Sequence, residues 1–147
     1  RPPRSTQGVS SAASDVYKRQ MFNNKPQRNI DMTIERHHSG PRMSQIVVHN
    51  DTVYIDGIVG DDRSADIGTQ TAQVLAKIDG YLAEVGTDKS KLLCAEIWIS
   101  DMTLFNEMNA VWDAWIDAAN PPTRACGQVP LAHPDFKVEI IVRAALD

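Results

Sequence analysis

The sequence predicts an α+β domain of order ββαβαββ, with two helices packed on one face of a mixed or antiparallel sheet. Three observations carry that expectation. Paired β-rich runs stand at both ends of the body, two apolar stripes at helical spacing lie between them, and an alternating run separates the stripes. With 147 residues, 42% hydrophobic and 23% charged, the chain has the size and composition of one globular domain.

The opening hairpin is QIVVH and TVYID, joined by the turn signal Asn50-Asp51. From Asp66 onward, Ile67, Val74, Leu75, Ile78, Tyr81, Leu82 and Val85 recur on one helical face, and Gly86 is a stop signal. In KLLCAEIWIS, Leu93, Ala95, Ile97 and Ile99 alternate with Cys94, Glu96 and Trp98, the pattern of a strand with two different faces. Asp101 or Thr103 can cap a second helix with the stripe Phe105, Met108, Trp112, Trp115, Ile116 and Ala119. Asn120-Pro121-Pro122 is expected to end it, because proline donates no backbone N–H and restricts the residue before it. A second hairpin closes the chain, with Phe136, Val138, Ile140, Val142 and Ala144 on one face of its last strand. Cys94, Trp98 and Ile141 are placed on the face away from the helices. They are too apolar for water, so a second subunit is expected to cover them.

Residues 1–31 read as a disordered tail, rich in Ser, Arg, Pro, Gln and Asn and without an apolar stripe. Its piece VSSAASDVYKRQ resembles translated sequencing-adapter read-through, and residues 1–20 are taken as a non-native artefact. The single domain is 32–147, with Met32 preferred over Met21 as the start. Charge divides the same way. The tail has six basic and two acidic residues, +4, whereas 32–147 has nine basic and seventeen acidic, −8. A body that acidic repels phosphate backbones, which argues against nucleic-acid binding. No apolar run reaches the roughly 18 residues of a membrane span. Cys94 and Cys126 form no CxxC, so free thiols in a reducing cytoplasm are expected. His37, His38, His49 and His133 show no ligand spacing, so no metal site is expected.

Near the end of the chain, PPTRACGQVPLAHPDFKVE carries polar and reactive groups where a strand usually buries Val or Ile. Arg124 and Cys126, two apart, share a strand face. If VPLAHPDF is the hairpin connection, with Val129 roughly opposite Phe136, Cys126 faces Glu139 and Arg124 is the diagonal neighbour of Glu139. All three then meet on the helix-free face, at its edge. One reading is an Arg124–Glu139 ion pair that only tidies that edge. The other makes Arg124 a fork for a carboxylate and Glu139 a group that positions or deprotonates water. Spacing alone does not separate them.

PPTRACGQVPLAHPDFKVEI is similar to the carboxy-terminal signature of the RidA/YjgF family of imine deaminases. SGPRMSQIVVHNDTVYIDGIVG resembles that family's opening hairpin, and FNEMNAVWDAWI its second helix, most closely in the YoaB-like branch. The resemblance covers about residues 35–145. It implies a chorismate-mutase-like fold, a homotrimer with clefts between subunits, and no cofactor. It implies that Arg124 clamps the substrate carboxylate, Glu139 positions water, and Cys126 and Asn109 complete the binding site. Two positions depart from the pattern. Arg42 follows Gly40-Pro41 where better-known members place a tyrosine, and Asp56 precedes Gly57 where they have a serine. An aspartate there repels a carboxylate-bearing substrate unless it faces elsewhere or pairs with Arg42.

Three functions follow as expectations. The first is cofactor-free hydrolysis of reactive 2-imino or enamine acids to 2-keto acids and ammonia. The second is a module that holds a small carboxylate such as a keto acid without turnover. The third is a hydrolase of a related acyl or aminoacrylate compound, with Asp56 as an additional acid or base.

Overall fold

The computed structural model describes residues 33–146; the tail expected at 1–31 lies outside the described residues. Among the described residues, seven strands and two α-helices follow one another as β1 (Ile34–His37), β2 (Ile46–His49), β3 (Thr52–Ile55), β4 (Ile58–Val59), α1 (Ile67–Glu84), β5 (Leu92–Ile99), α2 (Phe105–Trp115), β6 (Thr123–Gln128) and β7 (Val138–Ala145). The α+β reading holds, with two helices on a mixed sheet. Two strands beyond the expected five extend it. β1 pairs with β2 at one edge, and the two-residue β4 pairs with β7 beyond the end of β3.

Local chemistry explains the helix ends. Asp66 caps α1 by accepting a hydrogen bond from the Thr69 N–H at 2.7 Å, which satisfies one of the first-turn donors. Beyond its other end, Gly86 takes φ +81°, a left-handed conformation that suits a residue without Cβ. Asp101 caps a short 3-10 turn, Met102–Leu104, that leads into α2. Here α2 differs from expectation: it ends at Trp115, before Ala119 and the prolines. Ile116 is already extended, and the Asp117 carboxylate accepts from Ala119 N–H and Asn120 Nδ2, a local turn that competes with the helix.

The strand order across the sheet is β1-β2-β3-β7-β5-β6. This overturns the closing hairpin. β6 runs parallel to β5, and β7 lies antiparallel on the other side of β5. The unit β5-α2-β6 is therefore a crossover, the connection that parallel neighbours need. Residues 129–137 then pass from the sheet edge back to β7. Gln70, fully buried on α1, pins that passage: its Nε2 donates to the Asp135 carbonyl at 3.1 Å and its Oε1 accepts from Lys137 N–H at 2.9 Å. The polar content of β6 suits an edge strand.

The helix face of the sheet holds the core. Ile46, Val53, Ile97, Ile99, Ile140 and Val142 are sealed against Val74, Leu75, Ile78, Leu82 and Met108. Each such side chain contributes about 1.5–3 kcal/mol when fully buried. One strand residue departs from the alternation. An irregularity between Leu92 and Cys94 shifts the register, so Leu92 is buried and Leu93 is 49% exposed. On the opposite face Cys94, Trp98 and Ile141 are half-buried, as expected for residues turned from the helices. Among the described residues no helix is long and apolar enough to cross a membrane.

Candidate functional site

Arg124 and Cys126 lie on the edge strand β6, and the register decides which way they face. Arg124 stands opposite Ala95, and Ala95 opposite Val142; Cys126 stands opposite Ile97, and Ile97 opposite Ile140. Directly paired residues share a sheet face. Both side chains therefore belong to the helix side, where Ala95, Ile97, Ile140 and Val142 are buried.

There α2 receives the arginine. Its Nη1 donates to Oδ1 of Asn109 at 2.7 Å, and its guanidinium stands 5.5 Å from the ring centroid of Trp112. Asn109 and Trp112 are three residues apart, neighbours on one helix surface. Trp112 is 4% exposed, a rigid floor, while Arg124 itself is exposed. Among the described residues no carboxylate forms an ion pair with Arg124. Cys126 is half-buried beside it. Burial pushes its thiol up, and the Arg124 charge offsets this only in part, so the group stays protonated at neutral pH.

Glu139 is elsewhere. It pairs with Trp98 on one side and Val59 on the other, the row of the helix-free face. The expected convergence of Arg124, Cys126 and Glu139 on one face is therefore corrected: β5 separates β6 from β7, and Arg124 and Glu139 project to opposite faces. The error follows from the hairpin, which made β6 and β7 neighbours. The Arg124–Glu139 edge ion pair falls with it.

Glu139 has a different companion. Its carboxyl lies over Gly57, where an added Cβ would collide with Oε1 and meet Cδ at 3.0 Å. The preceding residue, Asp56, has a buried Oδ1 with no hydrogen-bond partner. Burial raises Asp56 to about 6, with the Glu139 charge adding to it, and burial raises Glu139 as well. Arg42 is exposed, and among the described residues no ion pair joins it to Asp56. Among the described residues Asp56 thus has no ion-pairing cation. No group of three His, Cys, Asp or Glu among the described residues could hold a metal ion.

One chain accordingly carries two half-sites. The candidate anion-receiving half consists of Arg124, Asn109, Trp112 and Cys126, and a carboxyl half consists of Asp56, Gly57 and Glu139. Sequence reasoning took Trp112 for core alone and passed over Gly57. The three-residue spacing from Asn109 to Trp112 was the available signal for the first. Glycine at a strand break was the signal for the second.

Comparison with known proteins settles the lineage. The family model described as Endoribonuclease L-PSP matches residues 33–146, all of the described body. The chain belongs to this family. The RutC family protein YoaB of Escherichia coli is 43% identical over 115 residues, covering 78% of this chain and 100% of YoaB. A RutC family protein of Haemophilus ducreyi is 42% identical over 106 residues, covering 72% of this chain and 91% of the relative. Among solved structures, a YjgF family member from Neisseria meningitidis superposes with a TM-score of 0.77 at 41% identity, covering 79% of this chain and 97% of that one. The RidA/YjgF resemblance carried by the carboxy-terminal signature is thereby confirmed.

Proposed function

We propose that this RidA/YjgF family chain is a cytoplasmic, cofactor-free deaminase that hydrolyses reactive 2-imino acids to 2-keto acids and ammonia. One observation carries the reading: an exposed guanidinium that has no acidic partner among the described residues, fixed by Asn109 and resting on Trp112. Structural arginines usually find a carboxylate within the fold. A fork held open in this way suits a carboxylate brought by a ligand, which it can take through two parallel charge-assisted hydrogen bonds.

Arg124 holds the substrate carboxylate. Glu139 accepts a proton from a water as that water attacks the imine carbon. The protonated imine supplies the electrophile, so a protonated Cys126 thiol serves as a weak hydrogen-bonding wall rather than a nucleophile. Because the two half-sites face opposite sides of the sheet, a complete site draws Arg124 from one subunit and Glu139 from a neighbour. A homotrimer with clefts between subunits meets that need, and the half-buried Cys94, Trp98 and Ile141 give the helix-free face a reason to be covered. Ribonuclease action, named in the family model's description, suits this chain poorly, because residues 32–147 carry a net −8.

The test generates 2-iminopropanoate in place with an amino-acid oxidase and follows pyruvate release. An acceleration proportional to added protein supports deamination. Pyruvate bound without acceleration would favour the small-carboxylate binding module, and the absence of both acceleration and binding would overturn both readings.

A further inference from the structure

The carboxyl half-site contains more than the proposed reaction has used. Glu139 alone would suffice to position water, yet Asp56 stands beside it in an arrangement that is costly if both groups are ionised. The Oδ1 atom of Asp56 is buried and receives no hydrogen bond. A carboxylate oxygen deprived of water and of donors strongly disfavours its charge. Glycine at position 57 lets the Glu139 carboxyl settle over the backbone that follows Asp56, where any side chain would displace it.

A hydrogen bond to the backbone of residue 56 itself opposes the rise, but by less than burial or the Glu139 charge promotes it. From β7 the group that acts on Asp56 is Glu139, of like charge. From α1 it is the Tyr81 phenol, which is pushed up partly by Asp56 and whose hydroxyl donates to Gln45 Oε1 at 3.0 Å. Glu84 and Asp61 act on the same phenol as further negative charges. Lys77, also on α1, is held by the Val59 carbonyl and the Asp61 carboxylate.

We propose that Asp56 and Glu139 form a coupled carboxyl pair that shares one proton at the water-activating end of the site, with Asp56 the member that stores it. This rests on the deaminase reading for its use, though not for its existence. A pair with one proton contains a base and an acid together. Glu139 takes a proton from water as the water oxygen bonds to the iminium carbon and the C=N π electrons move to nitrogen, giving a neutral amino alcohol. Asp56 gives its proton to that nitrogen. The C–N bond then breaks with its electron pair leaving on ammonia, while the hydroxyl oxygen closes the C=O bond and returns its proton to Asp56. Glu139 passes its proton to the ammonia, so that an iminium and a water become a ketone and an ammonium ion. The direction of the shifts agrees: burial pushes both carboxyls up, Asp56 to about 6 with the Glu139 charge adding to it.

The experiment uses the full-length assembled protein. Side-chain carboxyl carbons of wild type and Asp56→Asn are titrated by NMR, and kcat/KM for 2-iminopropanoate is followed against pH in both. The pair predicts two steps in wild type, the upper assigned to Asp56 and near 6, collapsing to a single Glu139 step in Asp56→Asn. It also predicts that wild-type kcat/KM falls as pH rises through the upper step. In Asp56→Asn that limb should vanish and the plateau drop by about a hundredfold, the lower end of what positioned proton transfer contributes. Asp56 titrating as an ordinary carboxylate would overturn the pair. Two steps with an unchanged pH profile in Asp56→Asn would overturn its catalytic use. Should wild type release no pyruvate, the deaminase reading fails separately, and the NMR steps still decide whether the proton is shared.

Discussion

Replacing Arg124 tests the anion-receiving half of the site most directly. The geometry separates what the guanidinium does for the fold from what it offers a ligand. Its polar and aromatic contacts among the described residues are one hydrogen bond to Asn109 at 2.7 Å and the stacking on Trp112 at 5.5 Å. Both are at an exposed edge strand, where an aromatic–cation contact contributes about 0.5–1 kcal/mol and one hydrogen bond about 1 kcal/mol. Arg124→Lys keeps the charge and should lower stability by about 1 kcal/mol or less, a shift of a few degrees in Tm. Toward a bound carboxylate the loss is larger, because the lysine ammonium cannot form two parallel bonds in one plane. A hydrogen bond to a charged group is worth roughly 1.5–3 kcal/mol, and about 1.4 kcal/mol is a factor of ten. Catalytic efficiency for 2-iminopropanoate should therefore fall by about one to two decades in Arg124→Lys, and further in Arg124→Ala. Circular dichroism checks that both variants remain folded. Wild-type kcat/KM in folded Arg124→Lys and Arg124→Ala would return Arg124 to a structural role and remove the main support for imine hydrolysis.

Four further outcomes follow from particular contacts. Gly57→Ala places a Cβ against the Glu139 carboxyl; since the obstacle is the end of a flexible side chain, Tm should hardly move. The kcat should nevertheless drop by about a hundredfold, as expected for a displacement near 1 Å in a reacting group, and unchanged kinetics would separate Glu139 from the chemistry. Trp112→Ala removes a nearly sealed side chain from the core and should cost about 3–5 kcal/mol by urea denaturation, whereas a cost below 1 kcal/mol would contradict the packing. Sedimentation at micromolar concentration should give a mass near three chains, and a clean monomer would sink the shared cleft. Glu84 is held below its ordinary value of 4.5 chiefly by the hydrogen bond from His38, with both His38 and His37 adding charge. Since a depressed folded value gives stability that is present above the unfolded pKa and lost as pH falls through the folded one, His38→Ala should raise the Glu84 midpoint toward 4.5 in an NMR titration.

How much of the fold was legible depended on how local its cause is. The start of α1 at Asp66 and its stop near Gly86 are short-range chemistry, a side chain on a nearby N–H and a left-handed turn, and the sequence displays both. The alternation of β7 survives because its buried face, Val138 to Ala144, touches one continuous core. Failures occur where a distant contact overrides a local pattern. Leu93 follows the strand alternation on paper, but a register irregularity turns it outward. The pairing of β6 with β5 depends on the crossover through α2 and on Gln70 pinning residues 135–137, some 65 positions away in the chain. No turn signal reports that.

The site inherits the same division. Residue types were legible at Arg124, Cys126 and Glu139 because guanidinium, thiol and carboxylate are out of place on short strands. Their mutual position was not, since it depends on whether β5 lies between β6 and β7. That one topological fact reverses the argument from geometry. Had the hairpin formed, Arg124 and Glu139 would neutralise each other on one face, and an ion pair would account for both. With β5 interposed, each group lacks the partner that explained it. Arg124 keeps its charge open above Trp112, and Glu139 is left with Asp56, a neighbour of its own sign. In the proposed assembly, the two half-sites of opposite charge preference on opposite sheet faces complement one another between copies. The separation that breaks the ion pair is therefore what the proposed shared cleft rests on, in which the proposed imino acid would set its carboxylate at the arginine and its cationic nitrogen toward the carboxyl pair.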